Sequence, residues 1–374
     1  MTSLVFVNRA GRISGAEVVL LRLVDVAVRQ GHRVRVVSPR GPLADRLPAG
    51  VEHLPIEELD LGGSAGLRRV VAYGTLARRS LRAASVIRRA AAGDTVVIVN
   101  ALMALPAARL ARIRGGVSWL IHDTVSDAKQ RLVVRVGRGA VRRAVAVSPP
   151  TAEAVRPLGV HALVAPLGID VPEAPQPHVR SGGAPVVGIM GVLTPWKGHR
   201  ILLQALAKLP DVRCEIAGSA FHGDEDHAEQ LRQLAAGPDL AGRVAFLGHV
   251  EPLSAIRRWD ILVSASTSPE AGPIVALEAM SLGVPVIGTD HGGCAWLLRD
   301  GAGVLVPAGD PDALAAAIDS VLRRPHELAA MTRLGRERVV ADHDAVTAFP
   351  AMLDALLTAT EGVQDRDVLA APSR

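Results

Sequence analysis

The sequence predicts an α/β protein made of two Rossmann-like domains with parallel sheets. Three observations carry that reading. Short aliphatic runs alternate with longer stretches of helical period, the pattern expected where helices cover both faces of a parallel sheet. The alternation runs through the first half of the chain, stops, and restarts at Val186. Between the halves lies Val171-Pro172-Glu173-Ala174-Pro175-Gln176-Pro177, followed shortly by Ser181-Gly182-Gly183, a composition that suits a linker better than a helix or strand. At 374 residues the chain has room for two domains of ordinary size, each with its own core.

In the first half, strands are expected over 4–7, 33–37, 95–99, 117–121 and 144–147, each short, aliphatic and rich in Val, Leu or Ile. The turn Ile13-Ser14-Gly15-Ala16-Glu17 follows the first of them and precedes a helix over 18–29, closed by Gln30-Gly31-His32. Asn8, Asn100, His122 and Ser148 stand where strands give way to loops, so they should line one edge of the sheet. Asn100 and Ser148 are accordingly expected to touch an acceptor. In the second half, strands are expected over 186–190, 214–217, 244–247, 261–263, 284–287 and 303–306. A last helix is expected over 344–357 and a polar, disordered tail from 360. The domain boundaries read as 1–172, a linker over 173–184, 185–343, a C-terminal helix over 344–359 and a tail over 360–374.

Composition excludes some functions. Four Trp, four Phe and one Tyr are too few and too scattered for the stacking platforms that bind single-stranded nucleic acid, so no nucleic-acid partner is expected. Cys214 and Cys294 have no metal-type spacing and suggest no disulfide framework. No stretch of about 18 uninterrupted apolar residues is present, and Arg9 and Arg12 interrupt the N-terminus too early for a signal peptide. A reducing cytoplasm is the expected location, with attachment to the inner membrane face as a variant. That variant rests on 67–89, where Arg68, Arg69, Arg78, Arg79, Arg82, Arg88 and Arg89 occur without an acid and are interleaved with Leu76, Leu81, Val86 and Ile87. A solvated helix face is the plainer reading; a basic amphipathic surface for anionic headgroups or an anionic acceptor is the other.

The stretch with most chemistry is Ser268-Pro269-Glu270-Ala271-Gly272-Pro273-Ile274-Val275-Ala276-Leu277-Glu278. A buried strand precedes it and a helix follows, so Glu270 belongs to a loop at the carboxyl end of a parallel strand, where helix N-termini present free N–H groups to anions. Pro273 suits the first position of that helix, and Gly272 lets a ligand approach the backbone. Glu278 falls about two turns on, able to accept hydrogen bonds from paired hydroxyls. A helix-start charge plus one solvated helix glutamate is the plain alternative.

The following segment, Gly283-Val284-Pro285-Val286-Ile287-Gly288-Thr289-Asp290-His291-Gly292-Gly293, decides between them. From Glu270 to Gly293 the chain resembles the retaining nucleotide-sugar glycosyltransferases of family 4, which have the GT-B architecture. The resemblance implies two Rossmann-like domains with parallel sheets facing across a cleft. It also implies a nucleoside-diphosphate sugar as co-substrate, a hydroxyl acceptor, and neither cofactor nor catalytic metal. Asp310-Pro311-Asp312 is read in the same sense, as a helix cap and not a metal site.

By the same resemblance, Gly191-Val192-Leu193-Thr194-Pro195-Trp196-Lys197-Gly198-His199 is a phosphate loop in which Lys197 grips the diphosphate together with the backbone of Gly272, Pro273 and Ile274. Gly15 lets the donor approach the first domain. Glu270 holds sugar hydroxyls and Glu278 the ribose, while His122 reaches the transferred sugar. Backbone near Gly218 and His249 meets the base, guanine or uracil. Two departures stand out: Val192, where many relatives have arginine, and Leu167, where relatives often have asparagine. The implied reaction moves a sugar to an acceptor hydroxyl with retention, in cell-envelope, polysaccharide or natural-product glycoside synthesis. A lipid-linked, polysaccharide or small-molecule acceptor all remain open. A degenerate nucleotide-sugar-binding protein and a GT-B epimerase or phosphorylase are the alternatives.

Overall fold

The structure, a computed structural model, describes residues 1–60, 67–175, 183–221 and 223–358. Most of the expected linker and all of the expected tail therefore lie outside the described residues. Two compact units are present: unit 1 comprises 1–167 and the chain from 347 on, and unit 2 comprises 168–346.

Unit 1 holds seven parallel strands: β1 (Ser3–Val7), β2 (Arg33–Ser38), β3 (Glu52–Pro55), β4 (Thr95–Val99), β5 (Val117–Ile121), β6 (Val141–Ala146) and β7 (Leu163–Val164). Their spatial order is β3-β2-β1-β4-β5-β6-β7. Unit 2 repeats the plan with β8 (Val186–Met190), β9 (Arg213–Ala217), β10 (Val244–Gly248), β11 (Ile261–Ser264), β12 (Val286–Thr289) and β13 (Val304–Val306), ordered β10-β9-β8-β11-β12-β13. The aliphatic runs are the central strands because helices cover them on both faces. Leu4, Val5, Phe6 and Val7 have no exposed surface, and Ile98, Val99, Trp119, Leu120 and Ile121 are equally buried. The two strands the sequence did not announce, β3 and β7, are edge strands. One reads Glu-His-Leu-Pro and the other has two residues, so neither carries an aliphatic run.

The chain reverses direction of winding between β1 and β4 in unit 1 and between β8 and β11 in unit 2. In doubly wound sheets, ligands collect at the carboxyl ends of the strands at this switch point. The parallel register sets Val7 beside Val99, so Asn8 and Asn100 emerge side by side, and the Asn100 N–H donates to the Val7 carbonyl at 2.9 Å. In unit 2 the switch point brings together the loops that leave Met190 and Ser264.

The helix Ala345–Leu357 closes the chain, and from Thr347 it belongs to unit 1. Phe349, Met352, Leu353 and Leu356 are buried, and the Ser118 hydroxyl donates to the Leu356 carbonyl at 2.7 Å. The arginine-rich helix Leu67–Ala90 turns its apolar side into the core through Ala83, Ala84, Ile87 and Ala90. Arg79 and Arg82 pair with Glu57, while Arg88 donates to the carbonyls of Leu110 and Ala111. Leu81 is the large apolar side chain this helix leaves exposed among its described residues. The side chains of Arg68 and Arg69 lie outside the described residues. Among the described residues no helix is long and apolar enough to cross a membrane.

Candidate active site

In unit 2, β8 ends at Met190 and its loop runs to a single 3-10 turn, Pro195–Lys197, before the helix His199–Leu206. Gly198 joins the two with φ +76°, and a Cβ there would stand 1.8 Å from the Ala265 carbonyl oxygen. Only glycine meets both demands, the left-handed backbone and the close approach. The contact fixes the Lys197 loop against the end of β11. From there the Lys197 ammonium donates to Glu270 Oε2 at 2.6 Å, with the two side chains 21% and 11% exposed. The ammonium also sits 4.5 Å from the centre of the Trp196 ring.

Glu270 is held from several sides. The buried Ser266 hydroxyl donates to its other oxygen, Oε1. The Ser266 carbonyl in turn accepts from the Thr289 hydroxyl at 3.0 Å and from His291 Nε2 at 2.9 Å. The glycine turn after β12 locks the backbone, with the Gly293 N–H donating to the Glu270 carbonyl at 2.6 Å. Ser266, Thr289 and His291 were not singled out from sequence. Their signal was available: they stand at the carboxyl ends of β11, which flanks the switch point, and of its neighbour β12.

Gly272, Pro273 and Ile274 lead into the helix Ile274–Leu282, with Pro273 as its N-cap and not, as expected, its first residue. The first turn of any helix leaves N–H groups without an intrahelical acceptor. Glu278 faces a different environment. Burial, reinforced by the charge of Glu251, pushes its pKa up from 4.5 to about 7, and its buried Oε2 has no hydrogen-bond partner among the described residues. Gly218 has φ +128° and receives its place from β9, its N–H donating to Gly248 at 2.7 Å; His249 follows, exposed. Unit 2 thus gathers Lys197 and Glu270 in direct contact and sets Gly218 beside the residue preceding His249. Asp310 accepts from the N–H groups of Asp312 and Ala313 at 2.9 Å each, a helix cap. Among the described residues no three His, Cys, Asp or Glu are placed to hold a metal ion.

In unit 1, Gly15 is exposed and opens the helix Gly15–Arg29, three residues earlier than expected. The extension comes from Glu17, whose Oε2 accepts from the Ser14 N–H at 3.0 Å and the Ser14 hydroxyl at 2.5 Å. Its Oε1 accepts from Asn8 Nδ2 at 3.0 Å. Asn100 Nδ2 donates to Asn8 Oδ1 at 3.1 Å, and Asn100 Oδ1 lies 3.0 Å from His122 Nε2. Burial pulls the His122 pKa down to about 4, with the Glu17 carboxylate opposing it. Burial raises the pKa of Asp123, which accepts a hydrogen bond from the Leu102 backbone.

Two expected acceptor contacts take other parts. Asn100 is 1% exposed, and its amide is engaged with Asn8, Ala16 and His122. Ser148 is equally buried; its hydroxyl bonds the Thr151 hydroxyl at 2.8 Å at the start of the helix Pro149–Val155. Both sit at strand ends as the sequence indicated, but burial directs their polar atoms inward.

The chain has counterparts among known proteins. A model of "Glycosyl transferases group 1" matches residues 170–338, and one of "Glycosyltransferase Family 4" matches 13–173. Phosphatidyl-myo-inositol mannosyltransferase of Mycolicibacterium smegmatis is 29% identical over 87% of this chain and 85% of its own. D-inositol 3-phosphate glycosyltransferase of Mycobacterium marinum is 36% identical over 46% of this chain and 37% of its own. Among solved structures, Anabaena HepE in complex with UDP and glucose superposes with a TM-score of 0.80 at 22% identity, covering 96% of this chain and all of that one. Sucrose-phosphate synthase of Thermosynechococcus elongatus follows with 0.77 at 18%, covering 94% and 97%. At these identities the structural likenesses speak for the two-domain fold.

Proposed function

The chain belongs to the group 1 glycosyltransferases of family 4, with the GT-B fold, and acts on nucleotide sugars; from that premise we propose that it transfers a glycosyl unit from a UDP- or GDP-linked donor to an acceptor hydroxyl with retention at the anomeric carbon. The single observation that carries the assignment of roles is the 2.6 Å contact of Lys197 with Glu270 at the switch point of unit 2. A fixed cation beside a fixed carboxylate suits a substrate that has a diphosphate at one end and sugar hydroxyls at the other.

As the bond from the anomeric carbon to the diphosphate breaks, negative charge grows on the departing oxygens. Lys197 and the backbone N–H groups that open the helix Ile274–Leu282 stabilise that charge without having to reorganise. Glu270 accepts hydrogen bonds from the sugar, and Glu278 from the ribose hydroxyls. The base lies along Gly218 and His249, and Gly15 and His122 in unit 1 meet the donor and the transferred sugar. The acceptor oxygen bonds to the anomeric carbon on the face the diphosphate leaves, and its proton passes to the departing phosphate oxygen. No side chain is needed as a nucleophile. The relatives named for inositol-containing acceptors favour a polyol acceptor of a cell-envelope glycoconjugate.

The test is transfer from UDP- and GDP-sugars to polyol acceptors, with the product's anomeric configuration read by NMR. Retention is the expected outcome, along with loss of turnover in Lys197→Ala and Glu270→Ala. Turnover within about threefold of wild type in both variants would overturn the roles given to them.

A further inference from the structure

We propose that Glu17, Asn8 and Asn100 are positioning residues that hold the His122 ring in one neutral tautomer, with its hydrogen on Nε2 and its lone pair on Nδ1. The inference rests on the assignment of His122 to the transferred sugar given above. It follows from the direction of each hydrogen bond in the buried chain that joins these residues.

Side-chain amides can be reversed, so their orientation has to be fixed by partners that act in one sense only. Such partners are present at both amides. Asn8 Nδ2 lies 2.9 Å from the Ala10 carbonyl and 3.0 Å from the Glu17 carboxylate, neither of which can donate. Asn8 Oδ1 must therefore be the atom that faces Asn100. Asn100 Nδ2 lies 3.2 Å from the Ala16 carbonyl and 3.1 Å from Asn8 Oδ1, again two acceptors. Asn100 Oδ1 is left to face His122 Nε2 at 3.0 Å, and an oxygen there requires the ring nitrogen to donate.

Burial makes the arrangement stiff. Asn8 is fully buried, Asn100 is 1% exposed and Glu17 4%. Reversing either amide would set oxygen against oxygen in a medium that cannot screen it. Burial pulls the ring's pKa down to about 4 and outweighs the Glu17 carboxylate, which favours the imidazolium, so the ring is neutral at physiological pH. Among the described residues Nδ1 has no protein partner, which makes it the ring atom left to accept a hydrogen bond from a sugar hydroxyl. A histidine free to adopt either tautomer would offer an acceptor there only part of the time.

The experiment records ring-nitrogen NMR spectra of the full chain labelled with 15N-histidine, without donor or acceptor, His122 being assigned by its loss in His122→Gln. Between about pH 6 and 8 the signals should show a protonated Nε2 and an unprotonated Nδ1. A proton on Nδ1, or a doubly protonated ring, would overturn the proposal. Asn100→Ala should give mixed tautomers and lower kcat by about tenfold or more, with donor KM within about threefold. An unchanged ring spectrum in Asn100→Ala would also overturn it. The spectra of the unliganded protein are independent of turnover: a single Nε2–H tautomer in a protein that transfers no sugar would remove the functional reading while supporting the relay.

Discussion

Lys197 Nζ donates to Glu270 Oε2 across 2.6 Å of space and 73 residues of sequence. Both groups are largely withdrawn from water, and each is the other's counter-charge in the absence of donor. Lys197→Ala should therefore act twice. Turnover should fall about 10- to 100-fold, the equivalent of roughly 1.5–3 kcal/mol for a hydrogen bond to a charged group. The unliganded protein should also lose about 1–3 kcal/mol of stability, because the Glu270 carboxylate is left without its cation. Steady-state kinetics and a denaturant midpoint read the two effects separately.

Glu278 should make stability depend on pH. A carboxyl whose folded pKa lies above its unfolded value costs nothing while both states are protonated. The cost grows as pH rises through the unfolded value and levels off above the folded one, here from 4.5 to about 7. The full cost is about 3 kcal/mol. Glu278→Gln should raise the melting temperature at about pH 8 and leave it nearly unchanged at about pH 4, while weakening donor binding at both. A melting temperature equally affected at the two pH values would contradict the account.

Gly198 should not tolerate a side chain. Gly198→Ala meets the Ala265 carbonyl oxygen and must also hold φ +76°, a combination expected to cost about 1–3 kcal/mol. The same shift would carry Lys197 away from Glu270, so turnover should fall along with the unfolding midpoint. Gly50→Ala is the control: its φ is +85° but nothing lies within 4 Å of the added carbon. It should show the backbone cost alone and leave turnover intact.

Ser266 should prove to be a support for Glu270. Its hydroxyl reaches Glu270 while its carbonyl is pinned by Thr289 and His291. Ser266→Ala should reduce kcat by about tenfold with a smaller change in donor KM, since the carboxylate keeps its charge and loses its orientation. A change in KM alone would assign Ser266 to ground-state binding.

How much of this was legible in the sequence depends on how far apart the interacting residues lie. The aliphatic runs that became β1, β4, β5 and β8 declared themselves because a strand buried on both faces needs little else. The edge strands β3 and β7 lack that signature. Lys197 and Glu270 were found because each stands in a motif with local spacing. The Glu17, Asn8 and Asn100 cluster was not, since Asn8 and Asn100 are 92 residues apart and meet only because the sheet places β4 beside β1. The same buried register explains why Asn100 and Ser148, expected at the sheet edge, turn their polar atoms inward: a strand end locates a residue without saying which way its side chain goes.

The helix Ala345–Leu357 gives the chain an order of assembly. Unit 1 begins at the first residue, yet part of its core arrives with Phe349, Met352, Leu353 and Leu356. During synthesis the later-made unit 2 has all its strands before the earlier-made one has its last packing element. The half of the protein that leaves the ribosome first is thus the half that finishes folding last.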